Sequence, residues 1–171
     1  MSFGNYTNNA GYINKNVTLK HIIAMHDVIC NELVGSIKTA KFGDIFDLDV
    51  NQTIQYPLAN LYIDNAQYTT HELTYSFQLI VMDLVDKDQN NENDVLSDTM
   101  QSIGDYISQL KHGNSYFSNT LTYDSNTDFR VSDDISCEPF TERFDALVAG
   151  WTATFDITVS FNASACDGDI M

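Results

Sequence analysis

The sequence predicts an α+β fold, an antiparallel or mixed β-sheet with two main helices packed on one of its faces. Residues 18–37 and 92–112 each repeat apolar side chains at the spacing of one helix face. Residues 150–161 alternate between apolar and polar side chains without a fault, as a half-buried strand does. Helix, strands, helix and strands follow one another, and 171 residues suit one domain with a single core.

Residues 17–167 are predicted to form that single domain, preceded by a flexible N-terminal arm at residues 1–16. The arm is rich in Asn, Gly and Tyr and has no periodicity. It lacks the basic region and apolar core of a signal peptide, and no apolar run in the chain reaches the ~18 residues of a membrane helix. We expect the arm either to order against a neighbouring subunit or to fray.

The first helix is expected to begin at Thr18, a suitable cap, and to end near Gly35. Its wide apolar face predicts burial against a sheet. That face consists of Ile22, Met25, Val28, Ile29, Cys30, Leu33 and Ile37.

Two extended segments follow the first helix. Residues 41–49 are predicted to be a short strand or an extended entry, in which Gly43 allows a bend. Residues 53–63 are predicted to be a second strand, and Pro57, which has no ladder donor, predicts an edge position or a bulge there. Residues 64–67 have the composition of a turn.

The strand predicted at 72–85 changes character along its length. One face is apolar throughout, with Leu73, Tyr75, Phe77, Leu79 and Val81. The opposite face begins with Thr74, Ser76 and Gln78 and finishes with Ile80, Met82 and Leu84. One end of the strand is therefore predicted to be buried on both sides, by a helix on one face and a neighbouring subunit on the other.

The second helix is predicted at 92–112, with Asn91 as its cap, acids in its first turn and Gly113 after its end. Its predicted apolar stripe is Leu96, Met100, Ile103, Ile107 and Leu110. Residues 113–138 are polar and predict a long loop or hairpin, with a short strand near 118–123. The last strand is predicted to bury Trp151, Ala153, Phe155, Ile157, Val159 and Phe161.

The charge balance limits the partners that the chain can bind. Twenty-four acidic residues face eight basic ones, for a net charge of −16. Such a surface repels phosphate, so we expect no sequence-specific binding of nucleic acid. Two interpretations stay open: the acids keep the chain soluble until it assembles, or they line a channel through which DNA slides without sticking.

The three cysteines, Cys30, Cys137 and Cys166, form no Cys-x-x-Cys pair, which argues against a disulfide framework and a zinc site. We expect reduced thiols and synthesis in a cytoplasm. A nucleophilic pair of Cys30 with a histidine is conceivable, but a buried structural thiol is the preferred interpretation. His21 and His26 are five residues apart, which does not suit a metal pair on one helix face.

The acidic segment 86–94 resembles a calcium loop in part. Asp86, Asp88 and Asn90 occupy its first, third and fifth positions, but Ser97 stands where the bidentate glutamate should be. A solvated turn between strand and helix is the preferred interpretation. Arg143, which lies among acids, is expected to be a local ion-pair partner. We assign no catalytic, cofactor-binding or metal-binding residues, because no nucleophile elbow, Walker loop or dinucleotide fingerprint occurs.

Several ordered sequence blocks resemble a family of small virion proteins of tailed bacteriophages, especially the crAss-like phages. The similarity extends from about residue 17 to 167, and the arm and the loop 113–136 lie outside it. The blocks are Phe42-Gly43-Asp44-Ile45, Tyr56-Pro57-Leu58, Val81-Met82-Asp83-Leu84-Val85, Val95-Leu96-Ser97-Asp98-Thr99, Glu138-Pro139-Phe140-Thr141-Glu142-Arg143-Phe144, Gly150-Trp151 and Cys166-Asp167.

The resemblance implies a tail-terminator-like fold and a structural, non-enzymatic role in the virion. Members of that family are placed at the head–tail neck or the top of the tail. The resemblance further implies a homo-oligomeric ring of sixfold or twelvefold symmetry. Such a ring would contact portal or connector proteins and tail proteins, with no membrane partner. Two alternatives stay open: a small assembly factor or protein-binding domain absent from mature particles, and a metal-dependent enzyme that uses the turn at 86–94.

Overall fold

Two helices and six strands make up the part of the chain that the computed structural model describes, residues 17–33, 35–45, 54–112, 129–143 and 146–160. In chain order they are α1 (Leu19–Glu32), β1 (Thr39–Phe42), β2 (Leu58–Tyr68), β3 (Glu72–Leu84), α2 (Glu92–His112), β4 (Phe129–Val131), β5 (Ser136–Arg143) and β6 (Leu147–Ser160). The predicted arm, the strand near 118–123 and Phe161 lie outside the described residues.

The six described strands form one mixed sheet, as predicted. Its order is β1-β2-β3-β6-β4, and β5 pairs with β6 on the same side as β4. β1 runs parallel to β2, whereas the other pairs are antiparallel. The central β3–β6 pair extends in register from Glu72 opposite Ser160 to Leu84 opposite Val148.

Both helices cover the same face of this sheet, which confirms the predicted α+β arrangement. Alternate residues of β3 and β6 face them, and the rings of Phe77 and Phe155 lie opposite each other with centroids 6.0 Å apart. One core cluster joins these rings to Ile29 of α1 and Ile103 of α2. We call this side the helix-covered face and the opposite side of the sheet the open face.

The first helix begins as predicted but ends earlier. The backbone N–H of Thr18 donates to Nδ1 of His21 at 3.0 Å, which fixes the entry to α1. Ile37, predicted to continue the helical stripe, is buried but follows the end of the helix. Gly43 adopts a φ of 119°, which side-chain-bearing residues rarely reach, so the expected bend after β1 is present.

The second helix has the predicted bounds, but its buried face is rotated. Val95, Thr99, Ser102 and Tyr106 are buried, whereas Leu96, Met100 and Ile107 of the predicted stripe are only partly buried. Thr99 Oγ1 donates to the Val95 carbonyl at 2.6 Å, and Ser102 Oγ donates to the Asp98 carbonyl at 3.0 Å. Because the helix satisfies its own hydroxyl groups, these polar residues can be buried in the core.

One prediction for the strands was wrong, and one strand was not predicted. Residues 64–67 belong to β2, and the register shifts between Ile63 and Asn65, which leaves Asp64 as an extra, bulged residue. Pairing with β3 therefore overrides the turn-like composition. Residues 136–143, for which no strand was predicted, form β5 along β6.

Candidate functional site

The open face of the sheet carries a groove, which we call the open-face groove, with a volume of about 530 Å³. It crosses the adjacent strands β2, β3, β6 and β5, and the segment after β1 forms its far wall. Its described lining residues are Asp44, Ile45, Asn60, Tyr62, Gln78, Ile80, Phe140, Glu142 and Thr152.

The sequence of β3 explains why the groove lies at one end of the sheet. The side chains on its open face change from polar at Ser76 and Gln78 to apolar at Ile80 and Met82. Met82 is 1% exposed because it packs in a small cluster with Leu58 and Val148. The chain's own residues thus provide much of the second layer that was expected from a neighbouring subunit, although Leu84 stays 45% exposed.

The groove combines apolar and acidic side chains. Ile45, Ile80 and Phe140 pack against the Met82 cluster and give the groove an apolar wall. Asp44 and Glu142 add carboxylates, and none of the nine described lining residues is basic. The groove therefore offers a negative, partly apolar surface.

Asn60 supplies a hydrogen-bond acceptor on the groove floor. The residue is 1% exposed, and its Nδ2 donates to the carbonyl of Gly43 at 3.0 Å. This bond fixes the orientation of the amide, because a carbonyl can only accept. No other hydrogen bond to the Asn60 side chain occurs within the described part of the chain, so Oδ1 remains available to a donor.

The edge of β2 is a second candidate contact surface. β1 pairs with β2 only from Leu58 to Leu61, so residues 62–67 are paired within the described residues only with β3. The N–H of Thr69 donates to the Glu72 carbonyl at 2.8 Å, towards β3. Because N–H groups alternate in direction along a strand, the amide of Gln67 also faces β3 and that of Ala66 faces outward.

The opposite side of the sheet ends in β5. Within the described residues, β5 pairs with β6 alone, and it contains Pro139, which suits an edge strand. The described sheet therefore has an edge able to accept hydrogen bonds from another strand on each of its two sides.

A buried polar network connects the helices to the sheet beneath them. His26 is 0% exposed, and its Nε2 donates to the Lys41 carbonyl at 2.9 Å. Nδ1 of His26 therefore accepts from the hydroxyl of Tyr106, also at 2.9 Å. Burial lowers the pKa of His26 to about 4, so the ring is neutral at pH 7 and links α1, α2 and β1.

The structure brings Cys30 and His26 together, but not as a reactive pair. Cys30 Sγ lies 3.8 Å from Nδ1 of His26, one helix turn away. Burial, together with the smaller effect of the nearby Asp27 carboxylate, raises the pKa of Cys30 to about 12, so the thiol stays protonated. His26 already accepts the proton of Tyr106, and Cys30 is 3% exposed. This geometry favours a structural thiol.

Hydrogen bonds from its own side chains stabilise the acidic turn at residues 86–94. Nδ2 of Asn90 donates to Oδ2 of Asp88, and the N–H of Asp86 donates to Oδ1 of Asn91 at 2.8 Å. The expected cap residue Asn91 thus bonds back to the turn, while its carbonyl accepts the N–H of Val95 at 2.9 Å. Among the described residues, no three His, Cys, Asp or Glu side chains lie close enough to share a metal ion.

The remaining candidate residues are scattered. His71 lies in the exposed turn between β2 and β3, and Cys137 is partly buried, which raises the pKa of its thiol. Arg130 forms an exposed ion pair with Glu72 at 3.3 Å. The side chain of Arg143, expected to form a local ion pair, and Cys166 lie outside the described part of the structure.

Sequence reasoning missed the open-face groove because it missed β5. Side chains of residues 136–142 point alternately to the two faces of the sheet. Glu138, Phe140 and Glu142 lie on the open face, and Cys137, Pro139 and Thr141 lie on the helix-covered face. Neither face is uniformly apolar or polar, and the segment contains a proline, so the sequence carries no clear strand signal here.

Comparison with known proteins adds no relative to this description. No protein-family model matches the chain, and a search of curated proteins finds no match. In the part of the chain that the structure describes, no helix combines the length and apolar character needed to cross a membrane.

Proposed function

We propose that this chain is a structural protein of a bacteriophage virion that forms a closed ring at the head–tail neck or the top of the tail. The role is architectural rather than enzymatic, and the ring joins portal-side to tail-side proteins around the DNA channel. The sequence blocks that resemble phage neck and tail proteins support the location. The observation that carries the ring itself is the pair of sheet edges, β2 on one side and β5 on the other.

A sheet with an open edge on each side can continue from one copy into the next. Residues 62–67 of one copy would add to the β5 side of its neighbour, so each contact uses two different surfaces. A head-to-tail contact of this kind closes into a ring when the rotation per copy divides a full turn. Main-chain hydrogen bonds between strands depend little on side-chain charge, which suits a chain with a net charge of −16.

Two proline variants on neighbouring residues test this contact. In Ala66→Pro the lost N–H faces outward, so we expect the melting temperature to change little and the oligomer to dissociate. In Gln67→Pro the lost N–H faces β3, so we expect a lower melting temperature. Native mass spectrometry of the purified chain gives the copy number, expected to be six or twelve from the resemblance.

The same measurements separate the ring from the assembly-factor alternative. A chain that remains monomeric at high concentration, and is missing from cryo-electron microscopy maps of complete virions, would exclude the structural role and favour an assembly factor. An oligomer that Ala66→Pro leaves intact would place the subunit contact elsewhere on the surface.

A further inference from the structure

We propose that β5 of the neighbouring copy lies in line with β1 along the outer edge of β2, and that it runs antiparallel to β2. The inference rests on the proposed ring and deepens it, because it names the strand direction and the facing residues of the subunit contact. β1 pairs with Leu58–Leu61, and the neighbour's β5 would pair with residues 62–67, which we call the uncovered stretch of β2.

A turn at Gly43 takes the chain away from the edge of β2 after the four residues of β1. The N–H of Gly43 donates to the Leu61 carbonyl at 3.0 Å, and its φ of 119° then redirects the chain. Nδ2 of Asn60 donates to the Gly43 carbonyl at 3.0 Å and so holds the turn. Asp44 and Ile45 line the open-face groove, so the chain leaves the plane of the sheet here. This turn keeps β1 from extending along the uncovered stretch.

The uncovered stretch lacks residues that commonly keep a sheet edge unpaired. Exposed edge strands often carry lysine or proline. The uncovered stretch contains neither, and the bulged residue Asp64 is its only charged one. Tyr68, directly after it, is 62% exposed in the single copy. A strand added here would pair main-chain groups that the described part of one copy leaves unpaired, and it would lie beside the Tyr68 ring.

Strand directions within one copy determine the direction of the contact. β2 is antiparallel to β3, β3 to β6, and β6 to β5, so β2 and β5 of one copy run in opposite directions. In a ring of six or twelve, neighbouring copies differ by a sixth or a twelfth of a full turn, whereas reversing a strand needs half a turn. The neighbour's β5 therefore meets β2 in antiparallel orientation, which is also the more stable pairing per residue.

The two faces of the sheet limit which residues can lie opposite each other. Gln67 is on the open face, and so is every second residue of β5 from Ser136 onward. An antiparallel contact that keeps each face continuous, and leaves out the bulged residue, places Gln67 opposite Ser136 or Glu138. A parallel contact would place Gln67 opposite Phe140 or Glu142 instead. The residue that faces Gln67 therefore reports the strand direction.

Cysteine cross-linking between copies tests this direction. In a chain with Cys137→Ala and Cys166→Ala, the remaining native thiol, Cys30, is 3% exposed. Gln67→Cys is combined with Ser136→Cys, with Glu138→Cys or, as the matched control, with Glu142→Cys, and all four positions are exposed in the single copy. The assembled protein is treated with a short bis-methanethiosulfonate reagent and separated on a denaturing gel.

We expect the pair with Ser136→Cys or Glu138→Cys to give a ladder of covalent species up to the full copy number. The control with Glu142→Cys should cross-link at least roughly tenfold more slowly, because a disulfide-sized link needs facing residues. Within one copy β3 and β6 separate the two cysteines by roughly 14 Å, so links form only between copies.

Native mass spectrometry of the same variants without the reagent separates failure of the ring from failure of this inference. Monomers throughout would overturn the ring, and this contact with it. A ring in which the Glu142→Cys pair links fastest would have a parallel contact, which overturns the direction alone. A ring in which no pair cross-links would mean that β5 of another copy does not lie along the uncovered stretch, and the subunits would then meet elsewhere.

Discussion

The two faces of the same sheet are stabilised in different ways. On the helix-covered face, side chains such as Phe77 and Phe155 are at most 2% exposed and pack against two helices. On the open face, cross-strand pairs are joined by hydrogen bonds: Thr74 to Thr158 at 3.0 Å and Ser76 to Asp156 at 2.6 Å. Neighbouring residues of one strand therefore stabilise the fold by burial on one side and by polar contacts at a half-wet surface on the other.

The two faces differ in how strongly a substitution there affects the stability of the fold. Changes on the helix-covered face alter the core and act on the whole fold. The open face combines a polar surface with a groove that the described residues leave open, so substitutions there should cost little stability. The buried His26–Tyr106 bond shows that polarity also occurs on the helix-covered side, where it is enclosed and fully satisfied.

The largest expected effect comes from a pair of neighbouring residues on β3. Phe77→Ala should lower the free energy of unfolding by about 3–5 kcal/mol, because the ring is 0% exposed and its removal leaves a cavity. Gln78→Ala, one residue further and on the open face, should lower it by less than about 1 kcal/mol. Urea denaturation measures both. Similar losses at the two positions would remove the distinction between the faces.

A second test concerns the polar group on the helix-covered side. The pKa of His26 is about 4 in the folded chain and 6.5 for a side chain that is not buried, as in the unfolded chain. The unfolded state therefore binds the proton first as the pH falls. Stability should decrease between pH 6.5 and 4, by about 3 kcal/mol from this group alone, and this loss should level off below pH 4. Above pH 6.5 both states are neutral and the group contributes no pH dependence.

His26→Gln provides the reference for that measurement, because it lacks the titrating ring while the carboxylates remain. The difference in melting temperature between the two proteins should change over pH 6.5–4 and stay constant above. Tyr106 and Cys30, which contact the ring, do not titrate in this range because burial raises the pKa of each. A constant difference across the whole range would show that folding does not lower the pKa of His26.

The smallest expected effect is on the open face. A double-mutant cycle with Thr74→Val and Thr158→Val should give a coupling energy of roughly 0.2–1 kcal/mol, as for other cross-strand pairs. The doubly substituted protein should be close to the original in stability, because both hydroxyl groups are removed together. Thermal unfolding of the four proteins measures the coupling, and a value above about 2 kcal/mol would indicate a pair that is shielded from water.

Sequence patterns predicted the elements whose periodicity extends over many residues. The bounds of α2 and the alternation of β3 and β6 were confirmed, since each repeats one rule over several turns or pairs. Prediction was wrong at residues 64–67 and missed β5, since these segments have weak propensity and become strands by pairing with a neighbour. The groove was unpredictable for the same reason, because β5 forms one side of it.

By itself, the sequence determined the fold class, the two helices and the residues of the central strands that face the core. These three features depend on the periodic spacing of apolar residues and on the burial of their side chains, and that spacing can be read directly from the order of residues in the chain. Only the tertiary structure decided that Glu142 and Asn60, 82 positions apart, line one groove, and that His26 bonds to Tyr106, 80 residues away. Such contacts arise from strand order and helix placement, which no local pattern specifies.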